Sequence, residues 1–174
     1  SDHGHSTEVR TGGGGGNAGP YRGAKFSLFE GGIRVPAIIR YPGVVPANQV
    51  RHQLATGCDW LPTIMDLCGI EPPQHKIDGK NITPMIKSSE APSPHNIFHW
   101  QTGGNQWAVR QGDWKLIGNP RDTSNKAKIT DDDKLFLVNL KEDVSEMTNI
   151  AKQHPEKVEQ LQALHKAWLK DVSE

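Results

Sequence analysis

The sequence predicts an α/β protein that ends in a small antiparallel sheet packed on a C-terminal helix, and three observations predict it. Four short β-type runs, at residues 96–100, 106–110, 114–117 and 135–139, follow one another closely, and Gln111-Gly112-Asp113 between the middle two suits a hairpin turn. After them Val158, Leu161, Leu164 and Trp168 recur at helical spacing through residue 171, with His165 beside the same stripe and Pro155 suited to the first helical position. Ahead of both, an apolar β-branched run at 33–41 precedes a capped helical segment at 59–69.

Taken in order, residues 11–19 hold five consecutive glycines, which cost too much entropy to order as helix or strand and read as a surface loop. Val35, Ala37, Ile38 and Ile39 suggest a buried strand that stops at Pro42-Gly43, with Pro36 marking its start or an edge. Asp59 can cap a helix of about ten residues whose first turn tolerates Pro62, whose apolar positions are Leu61, Ile64, Met65 and Cys68, and which meets Gly69 at its end. Residues 71–96 carry five of the twelve prolines and read as an extended connection with one short helix near 83–87. A domain boundary is placed there, dividing the chain into residues 1–90 and 91–174. The polar stretch 119–133, with three consecutive aspartates, reads as a mobile loop.

Composition narrows the function classes. A chain of 174 residues with 34% apolar content and five tryptophans can build one modest core, to which Trp60, Trp107, Trp114 and Trp168 are assigned. Twenty basic residues balance twenty acidic ones and are spread along the chain, so nucleic acid is not an expected partner. No apolar run approaches the roughly 18 residues that span a bilayer, and no membrane partner is expected. Cys58 and Cys68 specify neither a disulfide framework nor a metal knuckle and are read as core thiols.

The chemistry concentrates near the N-terminus. In Ser1-Asp2-His3-Gly4 the glycine allows a sharp turn, so that adjacent carboxylate and imidazole side chains can converge on one cation. The carboxylate suits calcium or magnesium, and the imidazole leaves zinc or manganese open. By itself the string is equally a turn in which the aspartate bonds its own backbone. Lys25 could bind an anion or neutralise a leaving oxygen, or be a solvated surface lysine. His5 and His99 are further candidates for touching a substrate, and loop exposure and packing are the competing readings. Glu30 and Arg34 can pair behind Lys25, and Arg22 is given the task of shaping that loop.

The order Ser1-Asp2-His3-Gly4, a glycine-rich loop, Gly19-Pro20-Tyr21-Arg22-Gly23-Ala24-Lys25, Glu30-Gly31-Gly32-Ile33-Arg34-Val35-Pro36 and Tyr41-Pro42-Gly43 resembles the type I sulfatase (arylsulfatase) family of the alkaline phosphatase superfamily. Asp59-Trp60-Leu61-Pro62-Thr63-Ile64, Asp78-Gly79-Lys80-Asn81-Ile82, Ala108-Val109-Arg110-Gln111-Gly112-Asp113-Trp114-Lys115-Leu116 and Glu146-Met147-Thr148-Asn149-Ile150-Ala151 extend the resemblance over nearly the whole chain.

The resemblance implies an alkaline-phosphatase-like sulfatase fold, C-terminal part: the end of the large catalytic domain in 1–90 and a small antiparallel-sheet subdomain in 91–174. It implies that Asp2 and His3 ligate a divalent cation, usually calcium, and that Lys25 contacts the sulfate and steadies the departing alkoxide. It also implies a formylglycine nucleophile made from Cys/Ser-x-Pro-x-Arg. That string is absent from this sequence, so the chain is expected to be inactive without a missing N-terminal part. The implied partners are a sulfated small molecule or sulfated carbohydrate, and the implied location is periplasmic, secreted or lysosomal. His3 keeps open a phosphodiesterase or phosphonate hydrolase of the same superfamily, and the lack of a nucleophile keeps open a non-catalytic carbohydrate-binding or interaction fragment.

Overall fold

The computed structural model describes residues 1–12 and 14–173. Gly13, inside the expected glycine-rich loop, and Glu174 lie outside the described residues. Two compact units are present, one made of Ser1–Pro36 with Ile97–Glu174 and the other of Ala37–Asn96.

In the first unit, strands β1 (Ile97–Gln101), β2 (Trp107–Gln111), β3 (Trp114–Gly118) and β4 (Leu135–Asn139) form an antiparallel sheet in sequence order. Gly112, with φ of 59°, takes the left-handed position that the two-residue turn between β2 and β3 requires. Because side chains alternate between faces, the register His99↔Val109, Val109↔Leu116 and Leu116↔Leu137 lines up one buried face. The helix Pro155–Val172 covers it with Val158 and Leu161. The alternate register, Ala108↔Ile117 and Ile117↔Phe136, lines up the other face, which Leu28 and Phe29 cover. The expected sheet on a C-terminal helix is therefore present, and the segment 22–33 closes the opposite face.

That segment has little regular structure of its own, only the single turn α1 (Glu30–Ile33). Buried charge holds it instead. Lys115, on the same face as Ile117, donates to Glu30 Oε1 at 2.8 Å and Glu146 Oε1 at 2.9 Å, and all three side chains are buried. The pairing expected between Glu30 and Arg34 is present at 3.7 Å and secondary to the Lys115 bond. Burial alone would push Lys115 down, and the two carboxylates hold it above the ordinary lysine range. Burial pushes Glu146 up, while Lys115, Arg110 and Arg34 outweigh burial at Glu30 and hold it down. Arg22 does for the start of the segment what Lys115 does for its end. Its guanidinium donates to Asp122 Oδ2 at 2.8 Å and to the carbonyls of Glu146 and Ala127 at 3.0 and 3.1 Å, and lies 4.2 Å from the Phe29 ring centroid. The shaping role given to Arg22 is thus carried by buried hydrogen bonds.

The same bonds correct the expectation of a mobile loop at 119–133. Ser27 Oγ donates to the Arg121 carbonyl, Ala24 N to Thr123 Oγ1 and Gly23 N to Ser124 Oγ, so residues 121–127 are stitched to the Lys25 segment. The polar composition that suggested mobility supplies the stitching groups.

The second unit contains α2 (Trp60–Leu67) and α3 (Thr83–Lys87). Asp59 is wholly buried and accepts from Thr56 N at 2.7 Å, Lys80 N at 2.8 Å and the His95 ring at 2.8 Å. Asp59 therefore ties three segments together and makes no side-chain cap to α2. The stripe expected on α2 is also different: Leu61 and Ile64 are exposed, and the helix packs through Trp60 and the buried Thr63, whose hydroxyl accepts from Ile82 N. Cys58 and Cys68, expected in the core, are exposed. The four tryptophans expected in the core are each half-buried. The strand expected at 33–41 is absent. The chain beyond α1 is extended, yet no strand pairs with it among the described residues, and Ile38 is 93% exposed. An apolar β-branched run specifies extended backbone, and only a ladder partner makes it a strand.

Replacing Lys115 by Met removes the cation from between two buried carboxylates and is expected to cost about 3–5 kcal/mol. Urea unfolding should show a stability loss of that size, read as the midpoint shift multiplied by the m-value, and a loss below about 1 kcal/mol would contradict this account of the fold.

Candidate functional site

The N-terminal segment and the Lys25 segment are joined through their backbones. Gly4 N donates to Gly32 O at 2.9 Å, and Lys25 N donates to His5 O at 2.9 Å. The approach is close enough that a Cβ on Gly4 would run into the Gly31 carbonyl, whereas a Cβ on Gly31 or Gly32 would meet the carbonyls of Gly23 or Ser27 within the Lys25 segment itself. The sequence-predicted residues Asp2, His3, His5 and Lys25 are thereby gathered on adjoining segments of one unit, with His99 elsewhere on the sheet.

Asp2 is 87% exposed, and its Oδ2 lies 3.5 Å from His3 Nε2. His3 Nδ1 lies 2.7 Å from the Gly4 carbonyl. A carbonyl only accepts, so Nδ1 carries a proton and Nε2 is the ring nitrogen that faces the Asp2 carboxylate. A carboxylate beside a ring nitrogen whose other nitrogen is anchored on the backbone is a pair that a divalent cation can share. These residues fit a divalent cation as two of its ligands. Among the described residues no group of three or more His, Cys, Asp or Glu side chains forms a fuller shell.

Lys25 lines an open surface cavity of about 350 Å³ together with Thr7, Glu8, Phe26, Arg121, Thr123 and Asn125 among others. It bonds Glu8 Oε2 at 3.1 Å and lies 4.8 Å from the Phe26 ring centroid. Arg10 and Lys25 together hold the Glu8 carboxyl down at about 2. Glu8 therefore pairs Lys25 with an internal carboxylate. Sequence reasoning missed Glu8, Phe26 and Arg121. Nothing in their spacing marks them: Glu8 reaches Lys25 because the N-terminal segment bonds the Lys25 backbone, and Arg121 arrives when the loop 119–133 folds back on the same segment.

His5 Nδ1 is buried and has no hydrogen-bond partner among the described residues. His99 faces the terminal helix: its ring stacks on Trp168 at 4.9 Å between centroids, with His165 Nδ1 3.4 Å from its own Nδ1. Burial, with the neighbouring His165, pushes His99 down to about 4, and burial pushes His165 down as well.

The family model described as N-sulphoglucosamine sulphohydrolase, C-terminal, matches residues 24–174. The chain is similar to human arylsulfatase D, 43% identical over 105 residues that make up 58% of this chain and 18% of that protein. It is also similar to pig N-acetylgalactosamine-6-sulfatase, 40% identical over 103 residues, 58% of this chain and 19% of the other. The chain thus spans about a fifth of the length of these curated relatives. Among solved structures, a Bacteroides thetaiotaomicron protein described in work on the metabolism of multiple glycosaminoglycans superposes with a TM-score of 0.63 at 30% identity. That match covers 86% of this chain and 32% of the other. A sulfatase from Pseudoalteromonas sp. shares the fold, with a TM-score of 0.74 at 23% identity over 98% of this chain and 36% of its own.

The histidine pair generates a pH prediction. A base held below its unfolded value stays neutral in the folded state while the unfolded chain takes up a proton, so its contribution is complete above about 6.5 and is lost as pH falls toward about 4. The melting temperature should therefore fall between pH 6.5 and pH 5, and His99→Phe should flatten the fall. An equal slope in wild type and variant would contradict it.

Proposed function

Since this chain belongs to the sulfatase family, we propose that it forms the C-terminal part of a sulfuric ester hydrolase, with Lys25 as the residue that engages the sulfate. The observation that carries the reading is the placement of Lys25: it lines a cavity, and its backbone is bonded to the segment bearing Asp2 and His3. In this reading Asp2 and His3 are two ligands of the divalent cation, calcium by resemblance, whose chemistry is to draw charge from the sulfate oxygens. Lys25 leaves Glu8 for the anion and stabilises the charge that develops on the ester oxygen. The formylglycine nucleophile and the remaining ligands come from polypeptide outside this chain, and the chain alone does not turn over.

A further observation supports additional polypeptide. In the second unit Ile38, Val50, Leu61, Ile64 and Ile70 are all more than half exposed, and in this reading the additional polypeptide covers them. No helix among the described residues is long and apolar enough to cross a membrane. By family resemblance the protein is periplasmic, secreted or lysosomal and acts on a sulfated small molecule or carbohydrate.

Lys25→Ala in the full-length protein is expected to lower kcat/KM for a sulfate ester by about 10²–10³ with the melting temperature unchanged. Retained turnover would overturn the role of Lys25. His3 favours a second reading, a phosphodiesterase or phosphonate hydrolase, because imidazole ligation suits transition metals. Metal analysis separates the two: stoichiometric calcium supports the sulfatase reading, and stoichiometric zinc or manganese with phosphodiester turnover supports the other.

A further inference from the structure

One side chain in the Lys25 cavity is placed where neither backbone nor burial favours it. Phe26 has φ of 72°, the left-handed region that glycine adopts freely and a bulky residue adopts under strain. It is also 53% exposed, so little apolar burial offsets that strain. The surroundings impose the conformation: Gln106 Nε2 donates to the Phe26 carbonyl at 3.2 Å, and Ser27 N donates to Ala24 O at 3.0 Å. Glycine would satisfy the same bonds without strain, so the ring itself is the feature that needs a reason.

We propose that Phe26 is a specificity-determining residue whose exposed ring stacks on the apolar face of a pyranose carrying the sulfate ester held at Lys25. This rests on the reading of Lys25 as the sulfate-engaging residue. The Lys25 ammonium lies over one face of the Phe26 ring, 4.8 Å from its centroid, so a ligand anchored at that ammonium is within reach of the ring. Arg121, Thr123, Asn125 and Thr7 line the same space and offer polar groups to ring hydroxyls. The cavity, about 350 Å³, is of a size that takes a small molecule. A hydroxyl-bearing ring matches this mixture better than a second anionic group, which would meet the Glu8 carboxylate. It also matches better than a purely aromatic ester, which would leave the polar lining without partners.

The test uses titrations of the full-length protein with inorganic sulfate and with a panel of 4-O- and 6-O-sulfated galactose and N-acetylgalactosamine. Wild type should bind at least one sulfated sugar about tenfold tighter than inorganic sulfate, the scale of a ring-stacking contact. Phe26→Gly should lose that margin, leave inorganic sulfate affinity within about twofold and melt no lower than wild type, because it removes strain. Phe26→Tyr should keep the margin. Unchanged sugar affinity in Phe26→Gly would overturn the proposal. An equal loss for inorganic sulfate would overturn it too, by assigning Phe26 to holding Lys25, and a melting temperature lower by several degrees would assign it to the fold. Failure of inorganic sulfate to bind, or its indifference to Lys25→Ala, would sink the reading of Lys25 and the stacking proposal with it.

Discussion

Everything near Lys25 depends on one buried ion cluster, Lys115 between Glu30 and Glu146. The segment 22–33 contributes a single helical turn and no strand, and the hydrogen bonds within it, such as Ser27 N to Ala24 O and Gly31 N to Arg22 O, close local turns without tying it to the sheet. Its position comes from Leu28 and Phe29 on the sheet and from the Lys115 ammonium beneath it. Removing one partner of such a cluster strands the others in a dry environment, which is why its weight exceeds that of a surface pair. Arg22 repeats the device at the other end, where Asp122 and two carbonyls hold the guanidinium.

This arrangement explains how an irregular segment can carry a well-placed cation. The sheet supplies a rigid floor through Ala108, Ile117 and Phe136. The buried charges fix the backbone on either side of Lys25, and the bond from Lys25 N to His5 O fixes the neighbouring Asp2-His3 segment in turn. Strain collects where these anchors are tightest: Phe26 is held in a left-handed conformation between the Lys25 backbone and Gln106.

Much of the fold was legible in the sequence because period-2 and period-3.6 patterns are local. The strands at 97–101, 107–111, 114–118 and 135–139 lie within one residue of the expected runs, and the helices at 83–87 and 155–172 start where proline and spacing place them. The misreadings share a cause, since each needed knowledge of a partner. The run at 33–41 has the composition of a strand and lacks a ladder. Leu61 and Ile64 follow a helical stripe, and the helix packs through the half-buried Trp60 and the buried Thr63 instead. The loop at 119–133 looked mobile because its polar groups' acceptors and donors lie about a hundred residues away in sequence. For the site, Asp2, His3 and Lys25 were visible as motif residues. Lys115 left one signal, its alternation with Ile117 in Trp114-Lys115-Leu116-Ile117, which puts a lysine on a core face. Phe26 left none, because a backbone angle is not written in a side chain.

Native-state amide hydrogen exchange on the Lys25 segment tests the central claim most directly, that buried charge rather than local structure holds it to the sheet. In wild type the amides of Lys25 and Gly31, bonded to His5 O and Arg22 O, should exchange only with global unfolding, as slowly as those of Val109 and Leu116 in the sheet. In Lys115→Met they should exchange through a local opening while the sheet amides stay protected to the limit of the variant's global stability. Fast exchange at Lys25 and Gly31 already in wild type, or unchanged protection relative to the sheet in the variant, would contradict it.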